Sequence, residues 1–151
     1  MLYALLVASF LAAPGGADRA PEPPRPGAEF AVAAAPPADT VDVVRLSPAE
    51  AAAFLADTPE AVVVDVRTPA EVAASGRLAG ALVLDVTAPD FEARALDALD
   101  PERPVLLYCR SGTRADRAAR RLSALGVSRL VNAGGFDALA AAGLATEPYT
   151  P

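Results

Sequence analysis

The sequence predicts an α/β fold, a doubly wound and mostly parallel five-stranded sheet with helices on both faces, and three observations carry that prediction. Short valine- and leucine-rich runs recur at residues 41–46, 61–66, 82–86, 105–109 and 127–131. Apolar runs of that length read as strands, and the most continuous of them as strands buried on both faces. Segments of helical spacing separate them, and two of these segments open on the same device: Ser47-Pro48-Ala49-Glu50 and Thr68-Pro69-Ala70-Glu71 are capping boxes with proline at the first helical position. Strands alternating with helices build a parallel sheet, and such sheets bind ligands outside the carboxyl ends of their strands.

At 151 residues, 53% of them hydrophobic and 21% charged, the chain has room for one ordinary domain with its own core. Leu2 to Ala13 is mainly apolar but shorter than the roughly 20 residues that span a bilayer, and Gly15 and Ala17 are small residues placed for cleavage after Ala17. Residues 1–17 therefore read as a signal peptide, and the expected location is exported, periplasmic or extracellular. The competing readings are an N-terminal anchor, which would be the one route to a membrane, or a cytoplasmic chain. Residues 18–39 form a Pro/Ala-rich linker, with Pro21, Pro23, Pro24, Pro26, Pro36 and Pro37 favouring extended chain over packed structure. The domain is expected over residues 40–148, with 149–151 as a tail.

Within the domain, Val41 to Leu46 makes the first strand and Ser47 caps a helix through about Ala56. Ala61 to Val66 is a buried strand, Thr68 caps a helix towards Ala74, and Gly76 ends it. Leu82 to Val86 is a third strand, and Phe91, Ala95, Leu96 and Leu99 place a helix over 91–99. Pro101 and Pro104 break the chain before the strand 105–109. An Arg/Ala/Leu-rich helix from Ala115 to Leu125 follows, with Gly126 just past its end. Val127 to Val131 is the fifth strand, Gly134-Gly135 a permissive turn, and Phe136 to Ala142 a short helix closed by Gly143.

Between the fourth strand and the arginine-rich helix lies Cys109-Arg110-Ser111-Gly112-Thr113-Arg114, which contains the only cysteine. A cysteine at a strand-to-helix junction meets loop N–H groups and the positive end of the helix dipole, which stabilise negative charge on sulfur and hold an anion beside it. Net charge is −6, yet residues 110–121 hold five arginines against Asp116 alone. That local field favours a small anionic partner, whereas an acidic chain without lysine gives no footing for nucleic acid. Arg110 and Arg114 lie inside the loop; Arg117, Arg120 and Arg121 read as the solvated face of the helix.

One cysteine cannot close an intramolecular disulfide, and with no histidine a Cys–His pair or a His-based metal site is excluded. No metal or other cofactor is expected. A thiolate among N–H donors and arginines suits attack on an anionic sulfur or phosphorus centre. Attack on the outer sulfur of a thiosulfonate-like donor expels sulfite, a leaving group that needs no proton from a side chain, so the missing histidine is no obstacle. Cysteine phosphatases place five residues between cysteine and arginine; here there are four, and the position a wider loop would require is Ala115. A redox-sensing thiol is disfavoured by the lack of a resolving cysteine.

From about Val41 to Glu147 the chain resembles the single-domain rhodanese-like sulfurtransferases. The resemblance rests on Val63-Val64-Asp65-Val66-Arg67-Thr68-Pro69-Ala70-Glu71, Gly76-Arg77-Leu78-Ala79-Gly80-Ala81, Tyr108 to Arg114, and Gly134-Gly135-Phe136-Asp137-Ala138-Leu139 before Ala142-Gly143-Leu144. It implies Cys109 as a persulfide carrier, residues 110–114 as an amide cradle, and Asp65 with Arg67 bracing the site from a neighbouring strand end. Asp65 and Arg67 read equally as a buried ion pair ordering the turn before Thr68. The implied activity is transfer of sulfane sulfur from thiosulfate or a persulfide donor to a thiophilic acceptor, small or protein. The alternative is a rhodanese-like module that binds or senses sulfur species without turnover. Two positions depart from the family: Arg77 stands where histidine is usual, and Leu139 where tryptophan is frequent.

Overall fold

A computed structural model describes residues 43–151. The expected export segment and linker, together with the first residues of the expected domain, lie outside the described residues. The elements are β1 (Val44–Arg45), α1 (Pro48–Asp57), β2 (Val62–Asp65), α2 (Pro69–Ser75), β3 (Arg77–Leu78), β4 (Leu82–Val83), α3 (Phe91–Ala98), β5 (Val105–Cys109), α4 (Thr113–Ala124), β6 (Leu130–Gly135), α5 (Phe136–Ala141) and β7 (Thr146–Glu147). Five strands form one parallel sheet in the order β1-β6-β5-β2-β4, and β3 and β7 pair antiparallel in a small second sheet.

Local chemistry sets the helix starts. Ser47 Oγ accepts from Glu50 N while Glu50 Oε2 accepts from Ser47 N, and Thr68 and Glu71 repeat the exchange at α2. α2 ends at Gly76, whose φ of 79° is a backbone conformation that side chains disfavour.

β5 lies between β6 and β2, and all five of its residues are buried. Its pleat divides the core into two layers. Val105, Leu107 and Cys109 face a layer built with Phe91 and Ala95 of α3 and Ala115, Ala118, Ala119 and Leu122 of α4. Leu106 and Tyr108 face the other, built with Ala51, Phe54 and Leu55 of α1 and Phe136 and Leu139 of α5. The buried Tyr108 hydroxyl accepts from Leu78 N at 2.9 Å. Burial first, and the Asp65 carboxylate second, push its ionisation well above the ordinary tyrosine value.

Several strand bounds differ from expectation. The last strand of the main sheet runs over 130–135, not 127–131. Val127 N donates to Leu122 O, so this stretch closes the end of α4 instead of joining the sheet. Gly134-Gly135, expected as a turn, continues the strand, with Gly135 opposite Cys109 across a register shift. α4 starts at Thr113, two residues before Ala115, because Gly112 adopts φ 95° and serves as its N-cap. The third strand shortens to Leu82–Val83, although Leu84 N still donates to Asp65 O.

Candidate active site

The loop leaves β5 at the carboxyl end of the sheet and turns directly into α4, so residues 109–114 share one corner. Cys109 is 1% exposed, with its side chain rooted in the α3/α4 layer. Gly112 N donates to Cys109 Sγ at 3.0 Å. That geometry needs glycine at 112, because φ 95° disfavours a side chain and an added Cβ would lie 3.3 Å from Gly134 Cα. Gly135 is required more strictly: a Cβ there would sit 2.5 Å from Arg110 O. The two-glycine end of β6 is thus a backbone surface against which the loop lies.

The loop arginines differ in state. Arg114 grips Glu71 with both ends of its guanidinium, Nη1 to Oε2 at 2.7 Å and Nη2 to Oε1 at 2.6 Å. Hydrogen bonds from Arg114 hold the Glu71 carboxyl down at about 2, against an ordinary 4.5, and the same bonds raise the pKa of Arg114. Glu71 therefore serves two structures, since its Oε2 also caps α2 through Thr68. Arg110 is exposed and forms no ion pair among the described residues. Ser111 and Thr113 are exposed on the rim.

Asp65 and Arg67, 0% and 3% exposed, form a buried ion pair at the end of β2. Arg67 Nε reaches Asp65 Oδ1 at 2.9 Å, Nη1 donates to Ser75 Oγ, and Nη2 donates to Gly76 O as well as to Asp65 Oδ2. Its guanidinium also stacks 4.3 Å from the Phe136 ring centroid. Burial opposes the Arg67 charge, yet the Asp65 carboxylate outweighs it and raises the pKa above the ordinary arginine value. The pair ties the C-terminal end of α2 to the strand before it, and Arg67 lines a cavity of about 270 Å³ with Glu71, Arg110, Phe136 and Asp137.

A second cavity, of about 150 Å³, lies on the other side of the loop, lined by Ser111, Gly112, Thr113, Asp116, Asn132 and Arg45 among others. Asn132 is a site neighbour that sequence reading missed. It is 2% exposed, in the middle of β6, and its side chain bonds Gly112 O, Asp116 Oδ1 and Gly134 N. An asparagine directly after the apolar pair Leu130-Val131 was the available signal. Glu71 was legible as a cap but not as the partner of Arg114.

Arg121, expected on a solvated face, instead pairs with Glu92, donates to Val86 O and lies over the Phe91 ring at 4.6 Å, clamping α4 to α3. Arg117 and Arg120 are exposed. The two positions that depart from the resembled pattern are both structured. Arg77 pairs with Glu147, donates to Ala81 O and stacks on Tyr149, and Leu139 is fully buried. Among the described residues no cluster of three or more His, Cys, Asp or Glu side chains could hold a metal ion, and no helix is long and apolar enough to cross a membrane.

Residues 47–142 match the model of the rhodanese-like domain. A sulfurtransferase of Allochromatium vinosum is 38% identical over 91 residues, covering 60% of this chain and 81% of that protein. Among solved structures, the polysulfide-sulfur transferase homodimer of Wolinella succinogenes aligns with a TM-score of 0.57 at 31% identity, covering 72% of this chain and 80% of that one. A rhodanese-like domain from Anabaena sp. aligns with a TM-score of 0.60 at 22% identity, covering 70% and 79%, and speaks to the fold alone.

Proposed function

This chain belongs to the rhodanese-like domain family and is of sulfurtransferase type, and we propose that it carries sulfane sulfur on Cys109 as a persulfide, from thiosulfate or a persulfide donor to a thiophilic acceptor. The observation that supports this most directly is the placement of the only cysteine: its sulfur accepts the Gly112 amide inside a loop with four residues between Cys109 and Arg114.

In the first half-reaction the Cys109 thiolate attacks the outer sulfur of thiosulfate. A Cys109 S–S bond forms, the donor's S–S bond breaks, and its electron pair leaves on sulfite. In the second, an acceptor thiolate attacks the outer sulfur of the persulfide, takes it as its own persulfide, and returns Cys109 as thiolate. Neither step needs a side-chain proton donor, which agrees with a chain without histidine. The Gly112 N–H and the N-terminus of α4 stabilise negative charge on sulfur before and after loading, and Arg110 offsets the charge of the incoming donor. Asp65 and Arg67 act at one remove, by fixing the turn into α2 from which Glu71 reaches Arg114. The apolar run Leu2–Ala13 supports an exported location, checked by fractionating cells that express the full chain.

Incubation with thiosulfate followed by intact mass measurement should show the addition of one sulfur atom, with thiocyanate forming when cyanide is the acceptor. Cys109→Ser should abolish both, and a wild-type chain that gains no sulfur from thiosulfate or a low-molecular persulfide would sink the reading. The burial of Cys109 favours one second reading, a module that binds or senses sulfur species; partner capture without measurable turnover would distinguish it.

A further inference from the structure

We propose that Asn132 is a positioning residue for this chemistry, holding in place the Gly112 amide that donates to the Cys109 sulfur. The inference rests on Cys109 being the reactive sulfur. All the hydrogen-bonding atoms of the Asn132 side chain are committed. Nδ2 donates to Gly112 O at 3.0 Å and to Asp116 Oδ1 at 2.6 Å, and Oδ1 accepts from Gly134 N at 2.8 Å. With both its donors and its acceptor engaged in a buried setting, the amide has one orientation.

Each of those bonds ends on a part of the loop or its support. Gly112 is the residue whose N–H reaches the sulfur, and its left-handed backbone, φ 95°, aims that N–H inward. Its carbonyl receives both the Asn132 amide and the Asp116 N–H of the first turn of α4. Asp116 is in turn gripped by Arg45 of β1. Gly134 N, the third partner, anchors the glycine against which Gly112 packs. Asn132 thus joins β6, α4 and the loop at the residue whose N–H donates to the Cys109 sulfur.

The test separates positioning from plain stability, using the full chain. Asn132→Ala should react with iodoacetamide at Cys109, at one fixed neutral pH, about tenfold more slowly than wild type, because the Gly112 amide is no longer held on the sulfur. Loading from saturating thiosulfate should slow in parallel while the donor's apparent KM changes little, Arg110 and Arg114 being untouched. A second protein carries Asn132→Asp together with Asp116→Asn. It exchanges donor and acceptor across the 2.6 Å contact and keeps an acceptor for Gly134 N, gives up the ion pair with the exposed Arg45, and leaves Gly112 O without its side-chain donor. Its melting temperature should return towards wild type while alkylation stays slow, and it decides the matter even where Asn132→Ala does not fold. Wild-type alkylation rates in a folded variant, or recovery of rate together with melting temperature in the double variant, would overturn the proposal. Iodoacetamide needs no sulfur donor, so a wild-type chain that cannot be loaded counts against the sulfurtransferase reading and leaves this comparison intact.

Discussion

Arg110 and Arg114 have the same side chain four residues apart, yet their surroundings give them different work. Arg114 is bound to Glu71 at both ends, so removing it frees a carboxylate beside the loop as well as deleting a cation. Arg110 faces solvent beside the larger cavity. Arg110→Ala should therefore raise the apparent KM for thiosulfate roughly tenfold with an unchanged melting temperature, whereas Arg114→Ala should lower both loading and melting temperature. Glu71 gives the same pair a pH signature. Its pKa is depressed in the fold, so its contribution is complete above the unfolded value of 4.5 and is lost as pH falls towards about 2. Glu71→Gln should melt below wild type at pH 7, by about 1 kcal/mol after solvent screening, and the gap should close between pH 4.5 and 2 in thermal unfolding followed by circular dichroism.

The two helix starts with capping boxes were plain from sequence while the start of α4 and some strands were not, and the reason is range. The cap at Ser47 is satisfied within three residues, and so is the one at Thr68, so both are written locally. β3 and β7 are two residues each and pair across the whole second half of the domain, which leaves no periodicity to read. Gly134-Gly135 carries the composition of a turn, yet it is strand because the neighbouring loop needs a surface without side chains. Gly135→Ala tests that account. The added methyl has to push back Arg110 O, a backbone atom, so the variant should lose about 1–3 kcal/mol of stability and most of its sulfur loading, read by thermal unfolding and intact mass. Asn132 and the Arg114–Glu71 pair, joined across 43 residues in the second case, belong to the same non-local class.

At the scale of the whole molecule, alternation of elements was enough to predict a doubly wound parallel sheet, because βαβ order leaves few ways to cover both faces. The cysteine loop followed from that topology: β5 lies between β6 and β2 and its carboxyl end is the corner where the loop emerges. Strand lengths and the second sheet depend on pairing between distant segments and needed the structure. Both core layers described above are built from residues within 43–151. A chain beginning at Thr40 should therefore match the full chain in melting temperature and in sulfur loading, measured by calorimetry and intact mass.

Cys109, the sulfur proposed to react, ends β5 and is part of a packed layer, and this limits its freedom of movement. A thiol on a flexible arm could deliver its cargo at a distance; this one is a fixed post, and its reach is the length of one sulfur–sulfur bond. There is no second cysteine in the chain to take the sulfur over. On the proposed chemistry every acceptor must therefore bring its attacking atom to the loop itself. That requirement favours slender molecules and thiols on projecting tips over thiols sunk in a recess.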